Sequence, residues 1–185
     1  MLYFAYGSNL LVARLRQADR CPSARPLTVA RLDRHRLDFA KRSDVDGSSK
    51  CTVLPDPARS VHGVLYEIAQ AHERRALDAV EGVGKGYEVQ EVSVSCLAGG
   101  RHTAFTYIAQ PAWTDPALLP YDWYRDLVLH GALEHGLPEE LVARLRRTAT
   151  RTDPDRARAE RERLALSGDV RNANRSVHGG CGCSV

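Results

Sequence analysis

Apolar positions along this chain follow two spacings, one typical of strands and one typical of helices. The chain opens with a short apolar and aromatic run, 1–6, which predicts a strand. Gly7-Ser8-Asn9 then interrupts the run, and apolar residues return at helical spacing from Leu10 onward. Residues 1–18 therefore predict a strand, a tight turn and a helix, with Ser8 or Asn9 as the helix cap.

Alternating or continuous apolar runs between turn-forming residues predict further strands. We expect a break near Asp33, a polar loop over 41–50, and a hairpin turn at Ala98-Gly99-Gly100-Arg101. Gly63 lies inside one of the strands, where it predicts a bulge or a close backbone approach. The predicted strands are 27–32, 36–40, 51–54, 60–68, 87–97 and 102–109.

Three segments between the first predicted helix and residue 150 predict further helices. The first is 71–81, which Gly82 ends, and the second is 121–135. The third begins after Pro138, with Glu139 in its first turn, where negative charge is favoured. Strands outnumber helices before 121, and this order favours an α+β fold in which helices pack outside a small mixed β-barrel or strongly curled sheet.

The character of the chain changes near residue 150. The segment 151–167 carries mostly Arg, Glu and Ala, which predicts a charged helix on the surface. The segment 168–185 lacks periodicity and is rich in Gly, Asn, Ser and Arg, which predicts a disordered tail. We therefore divide the chain into a folded domain, 1–150, followed by this helix and this tail.

The composition, with 43% hydrophobic and 26% charged residues, is that of an ordinary globular protein. A net charge of +3 gives no electrostatic reason to expect nucleic-acid binding. The apolar start is too short for a signal peptide, and no run is long enough to cross a bilayer. The five cysteines are scattered and odd in number, so we expect no disulfide framework, no membrane partner and a cytoplasmic location. Cys181-Gly182-Cys183 lacks partner ligands, so we expect no metal.

Glu81 is the first candidate for chemistry. It ends a predicted helix, where the negative end of the helix dipole disfavours a charged carboxylate. Such a carboxylate suits a group that must accept and return a proton near neutral pH. The residues alone leave open whether Glu81 is this group or an exposed Glu at a fraying helix end.

The turn after the first strand is the second candidate. Gly7 lets the backbone approach a ligand, and Ser8 and Asn9 add donors and acceptors beside free N–H groups. This arrangement suits a carboxylate or a carbonyl oxygen, although a plain capped turn would look the same. We expect Arg14 at the surface, and His62 and His102, which lie at no ligand spacing, to be structural.

Four blocks of the sequence resemble the gamma-glutamylcyclotransferase family. They are YFAYGSNLL at 3–11, VHGVLYEI at 61–68, LDAVEGVGKGYEV at 77–89 and YRDLVLHGALEHGLP at 124–138. The blocks occur in family order and together cover roughly residues 1–150. The resemblance implies the AIG2-like fold, a small mixed β-barrel of five or six strands flanked by helices.

The same resemblance implies an enzyme that cyclises the γ-glutamyl group of a small γ-glutamyl amino acid or amine to 5-oxoproline and releases the free amine. It implies Glu81 as the general acid/base, no cofactor, no metal and a possible homodimer. The alternative is a non-catalytic module that binds a γ-glutamyl or other carboxylate ligand, which should lack a carboxylate at 81. The implied substrate-binding residues are Tyr6, Gly7, Ser8, Asn9, Leu10, Tyr87 and Tyr124.

Overall fold

Five β-strands close into a barrel within residues 1–176, the part of the chain that the structure, a computed structural model, describes. Their order around the barrel is β1-β3-β2-β4-β5, and β1 closes it by pairing in parallel with β5. The other neighbouring strands pair antiparallel, so the expected small mixed barrel flanked by helices is confirmed. The strands are β1 (Leu2–Ala5), β2 (Arg25–Arg42), β3 (Ser49–Glu67), β4 (Tyr87–Cys96) and β5 (Arg101–Ala109).

Strands β2 and β3 form one long hairpin where the sequence predicted four shorter strands, so that prediction was wrong. The expected break near Asp33 is a β-bulge: the register shifts between Asp33 and His35, and Arg34 takes a φ of 62°. A bulge absorbs an extra residue while pairing continues on both sides of it. The polar loop predicted over 41–50 is correspondingly shorter, since β2 runs to Arg42 and β3 begins at Ser49.

Gly63 of β3 marks the close backbone approach that its position predicted. A Cβ at this residue would lie 2.3 Å from the carbonyl oxygen of Ala5 and 2.8 Å from the ring of Phe4. Only a residue without a side chain fits there. Strand β1 can therefore pack tightly against β3, and this fixes the position of the turn that follows β1.

The helices agree with the sequence except at the two ends of the described chain. The predicted helix from Leu10 is a 3₁₀ turn, Ser8–Leu10, followed by a single short helix, so its expected length was wrong. Neither Ser8 nor Asn9 caps it by a side-chain hydrogen bond. The α-helices are α1 (Val12–Leu15), α2 (Ala71–Glu81), α3 (Asp122–Glu134), α4 (Glu139–Arg147) and α5 (Arg156–Ser176).

Helix α2 ends where the sequence predicted, because Gly82 takes a left-handed conformation with a φ of 70°. Helix α3 packs its apolar face on the turn after β1. A Cβ at Gly131 would lie 2.5 Å from both Leu10 Cβ and Leu11 N, so the helix contacts this turn through bare backbone. Helix α3 therefore fixes the position of the turn after β1.

Helix α5 corresponds to the charged helix predicted over 151–167 and extends past that boundary to Ser176. The remainder of the predicted tail, 177–185, lies outside the described residues. Glu162 of α5 accepts a hydrogen bond from Arg14 at 2.6 Å, which ties the helix to α1. No helix among the described residues is both long and apolar enough to span a membrane.

Candidate active site

The carboxylate of Glu81 is held between two polar side chains at the end of α2. Its Oε1 accepts a hydrogen bond from Asn9 Nδ2 at 2.9 Å and from Arg20 Nη1 at 3.2 Å. Arg20 Nη1 also donates to Asn9 Oδ1 at 3.1 Å, which closes a triangle of hydrogen bonds. Only 18% of the Glu81 side chain is exposed, so this residue is a fixed group rather than a fraying surface carboxylate.

Arg20 is the residue of this triangle that the sequence analysis did not identify. It lies in the loop after α1, where an arginine between polar residues carries no signal of burial. The structure buries it, and burial together with neighbouring Arg14 lowers its pKa, while Glu81 acts in the opposite direction. An arginine stays protonated under all ordinary conditions, so Glu81 has a permanent counterion.

Glu81 opens onto a small cavity with an unusual lining of phenol rings. Burial is the main cause that raises the pKa of each of these tyrosines above its ordinary value of 10, and the charge of Glu81 acts in the same direction. At neutral pH each one is therefore an uncharged hydroxyl group beside a carboxylate. The tyrosines are Tyr3, Tyr6, Tyr87, Tyr107 and Tyr124.

Tyr87 and Tyr124, both implied by the resemblance, lie in this cavity and bind the backbone of the same β3 residue, Cys51. The Tyr124 hydroxyl accepts a hydrogen bond from the N–H of Cys51 at 3.0 Å, and the Tyr87 hydroxyl donates to the carbonyl of Cys51. The proton of the Tyr87 hydroxyl is therefore already used in the hydrogen bond to the Cys51 carbonyl. Tyr124 acts as an acceptor towards the N–H, and a side-chain hydrogen bond also links its hydroxyl to the Cys51 thiol.

The other tyrosines are fixed from the far side of the cavity. Tyr6 donates to the carbonyl of Tyr107, and the Tyr107 hydroxyl donates to Asp78 Oδ1 at 2.6 Å. The Tyr3 hydroxyl accepts from Asn9 Nδ2 at 3.0 Å and retains its own proton. Tyr3 and Tyr107 were not predicted from the sequence, because they join the site only when β1 and β5 close the barrel.

The turn after β1 lines the same cavity through Gly7, Ser8 and Asn9. A Cβ at Gly7 would lie 3.1 Å from Cys51 Cβ and 3.5 Å from the Tyr124 hydroxyl, so glycine leaves the space that these groups need. Within residues 1–176, the backbone N–H groups of Ser8 and Asn9 have no hydrogen-bond acceptor. They begin the 3₁₀ turn, where N–H groups lack internal partners.

Leu10, which the resemblance also implied, lies behind the turn and does not line the cavity. Its side chain is fully buried against Gly131 of α3, and its carbonyl accepts a hydrogen bond from Tyr66 at 2.7 Å. Arg14 was expected at the surface, and that prediction was wrong. It is only 8% exposed and donates to Ser8 Oγ at 3.2 Å, so it supports the turn from below.

The cavity opens into a wider cleft of about 360 Å³. Ser8, Glu81, Tyr87 and Tyr124 line both spaces and form the mouth between them. No group of three or more His, Cys, Asp or Glu side chains among the described residues is placed to hold a metal ion. The site therefore offers a fixed carboxylate, neutral phenols and free N–H groups, which suit a proton transfer beside a developing negative charge.

Comparison with known proteins places these features in a family. Residues 60–145 match the model of the AIG2-like family. The curated gamma-glutamylcyclotransferases of Homo sapiens and Mus musculus are each 36% identical over 150 residues, which cover 78% of this chain and 77% of each relative. A solved structure of a gamma-glutamyl cyclotransferase superimposes with a TM-score of 0.79 at 31% identity, covering 91% of this chain and 99% of that one.

Proposed function

This chain belongs to the gamma-glutamylcyclotransferase family, and from that premise we propose that it converts the γ-glutamyl group of a small γ-glutamyl amino acid or amine into 5-oxoproline and releases the free amine. The observation that carries the proposal is the carboxylate of Glu81, fixed by Asn9 and Arg20 at the mouth of a cavity lined by phenols. A plain binding module would have no need of a carboxylate at that point.

The reaction is an internal transfer of an acyl group. The α-amine of the γ-glutamyl group attacks its own γ-carbonyl carbon, a new C–N bond closes the five-membered lactam, and the original amide C–N bond breaks. One proton leaves the attacking amine and one proton reaches the departing amine, so the reaction is balanced without an oxidant or a reductant. A single carboxylate that accepts the first proton and donates the second is sufficient.

In this proposal Glu81 is that carboxylate. It lies at the boundary between the cavity, which must widen from about 20 Å³ to take the γ-glutamyl group, and the cleft, which takes the departing amine. Arg20 keeps the charge of Glu81 compensated, and Asn9 prevents the carboxylate from rotating away. This position allows both proton transfers without any movement of α2.

The remaining groups bind and fold the substrate. The free N–H groups of Ser8 and Asn9 are suited to the γ-carbonyl oxygen, which gains negative charge during attack. Tyr3 has a proton to donate to the substrate carboxylate, since its hydroxyl accepts from Asn9, and the Tyr124 hydroxyl lies in the same cavity beside Cys51. Holding the γ-glutamyl group of the substrate in a bent conformation places its α-amine close to its γ-carbonyl carbon, and this proximity is a large part of the rate enhancement in ring closure.

The experiment that tests the proposal is release of 5-oxoproline from a panel of γ-glutamyl amino acids and amines, with wild type beside Glu81→Gln. Glutamine keeps the shape and still accepts from Asn9 and Arg20, but it cannot carry a proton between two nitrogens. We expect turnover of at least one compound and a loss of about two to four orders of magnitude in the variant. Glu91→Gln, on an exposed position of β4, is the matched control and should behave as wild type.

Two results would contradict the proposal. The first is a Glu81→Gln variant that is as fast as wild type, since Glu81 would then have no part in proton transfer. The second is tight binding of γ-glutamyl compounds, measured by calorimetry, without release of 5-oxoproline. That second result would favour the non-catalytic binding module.

A further inference from the structure

The wide cleft beside the cavity carries an inference about the substrate, and it rests on the proposed function. If the γ-glutamyl group occupies the inner cavity, the departing amine lies beyond the mouth formed by Ser8, Glu81, Tyr87 and Tyr124. Groups that line the cleft but not the cavity therefore meet the departing amine. Those groups decide which amines are accepted.

Most buried charges of this cleft already have a partner of opposite sign. Within each pair the two charges largely cancel, so little net charge remains to bind a ligand. They are Arg14 with Glu162 at 2.6 Å, Lys50 with Asp46 at 2.6 Å, Arg20 with Glu81 at 3.2 Å, and Arg158 with Asp153 at 2.5 Å.

Lys41 is different. It lies near the end of β2, lines the cleft but not the inner cavity, and is only 7% exposed. Within the described part of the chain, its ammonium group makes no hydrogen bond and no ion pair. Its Nζ instead lies 4.8 Å from the centre of the Tyr87 ring and 5.9 Å from that of Trp113.

The backbone makes room for this lysine. A Cβ at Gly86 would lie 2.7 Å from Lys41 Cε and 2.9 Å from Nζ, and Gly86 also has a φ of 126°, which disfavours any other residue. Gly86, which has no side chain, is thus followed directly by the aromatic ring of Tyr87. Together they hold one ammonium group in a fixed place at the wall of the cleft.

Most of the Lys41 side chain is buried, while its Nζ keeps contact with solvent, so the ammonium group has lost part of its hydration and can still be reached by an anion in the cleft. Taking a charged amine out of water costs free energy unless hydrogen bonds replace the lost hydration, and aromatic faces replace only part of it. Burial lowers the pKa of Lys41, and the charges of Glu81, Asp44 and Asp46 act in the opposite direction. Asp46 is paired with Lys50 and Asp44 is exposed, and neither forms an ion pair with Lys41 in the described part of the chain. Glu81 itself is turned to Asn9 and Arg20, so it does not fill the place of the missing anion.

We propose that Lys41 binds a carboxylate on the departing amine, and that this one residue sets how strongly the chain discriminates a departing amine that carries a carboxylate from an uncharged one. The carboxylate of an amino acid is two bonds from its nitrogen, which keeps it within the cleft next to the mouth. Lys85, the other unpaired lysine of the described cleft wall, is exposed to water and offers much less to an anion.

The test compares two compounds that differ by one charge, γ-glutamyl-alanine and γ-glutamyl-alaninamide. We expect wild type to favour the first by about ten-fold or more in kcat/KM, mainly through KM, because the contact exists before and during the reaction. In Lys41→Met the ratio between the compounds should fall close to one. Lys41→Arg should restore much of it, and Lys85→Met, the matched control, should keep the wild-type ratio.

The ratio separates binding of the carboxylate from any other effect of the substitution. A change in folding or in the behaviour of Glu81 would alter both compounds equally and leave their ratio as it was. Equal ratios in wild type and Lys41→Met, with both compounds turned over, would overturn the role of Lys41 while the proposed function stands. Failure of every γ-glutamyl compound to release 5-oxoproline with wild type would overturn the proposed function, and this inference with it.

Discussion

At the scale of single residues, Asn9 decides where the Glu81 carboxylate lies. Its Nδ2 donates to both Glu81 and Tyr3, and its Oδ1 accepts from Arg20. Only an amide can donate and accept in this way with a short side chain. The residue therefore links the Glu81 carboxylate, its counterion Arg20 and one phenol of the cavity.

Replacing Asn9 by Asp tests this role without changing the size of the side chain. The aspartate cannot donate to Glu81, and it places a second negative charge about 3 Å from the first, which repels the carboxylate. We expect kcat/KM to fall by about two orders of magnitude. Steady-state kinetics with the best γ-glutamyl compound is the measurement.

Gln70→Glu adds the same charge at an exposed position next to α2 and serves as the control. Thermal unfolding of both variants shows whether lost activity reflects lost folding. An Asn9→Asp enzyme with the kcat/KM of wild type would mean that Glu81 keeps its position without this amide.

Part of the site could be predicted from the sequence, because it depends on local patterns. Glu81 follows from a helix that ends at Gly82, and the turn at Gly7 follows from a strand that stops abruptly. Arg20 and Lys41 could not be predicted, since each lies in a polar stretch that gives no sign of burial. Their roles exist only after the barrel has closed over them.

At the scale of elements, the helices could be predicted from the sequence, whereas the long hairpin could not. Helices α2, α3 and α4 were predictable because apolar spacing and end signals are local. Strands β2 and β3 were not, because the bulge at Arg34 and the pairing across Pro55 depend on the partner strand. Residues that normally end a strand are tolerated where the backbone pairing with the neighbouring strand continues on both sides of them.

Asp153, just before α5, gives a prediction about how elements are joined. Its buried carboxylate accepts from Arg158 of α5 and from Trp123 Nε1 of α3 at 2.9 Å. Hydrogen bonding to Arg158 is the first cause that lowers the pKa of Asp153 from 3.8 to about 2. Because this pKa is depressed in the folded protein, the stabilisation is complete above the unfolded value and is lost as pH falls towards 2.

We therefore expect the free energy of unfolding of wild type to exceed that of Asp153→Asn at neutral pH, with about 2 kcal/mol of the difference coming from this titration. That part should disappear between about pH 4 and pH 2. Urea unfolding of both proteins across this range is the measurement, and Asp19→Asn, at an exposed position, is the control. A difference that stays constant over the range would show that the carboxylate gains nothing from being charged.

At the scale of the whole molecule, the site is assembled from parts that are distant in sequence. The turn after β1, the end of α2, the start of β4 and the first turn of α3 all meet at one cavity. Helix α5 closes the arrangement from outside, since Glu162 pairs with Arg14 and Arg14 donates to Ser8 in the turn. The cleft wall also includes Arg158 of the same helix.

Two truncations separate the described helix from the tail that follows it. Deleting 168–185 keeps Glu162 and every residue that lines the cleft, so we expect turnover of the best γ-glutamyl compound to remain that of wild type. Deleting 155–185 removes α5, leaves the buried Arg14 without its counterion and exposes the apolar surface under Ala159 and Ala165. We expect that protein to unfold at a lower temperature and to lose turnover.

The single variant Glu162→Gln distinguishes the effect of losing the Arg14–Glu162 ion pair from the effect of losing helix α5. Breaking a largely buried pair from one side leaves an uncompensated charge, which here lies directly under Ser8. We expect kcat/KM to fall by about ten-fold while the fold is retained, because the turn shifts with Arg14. Full activity in both Glu162→Gln and the 155–185 deletion would show that α5 does not support the site. A large loss of activity on deleting only 168–185 would mean that the tail reaches the cleft.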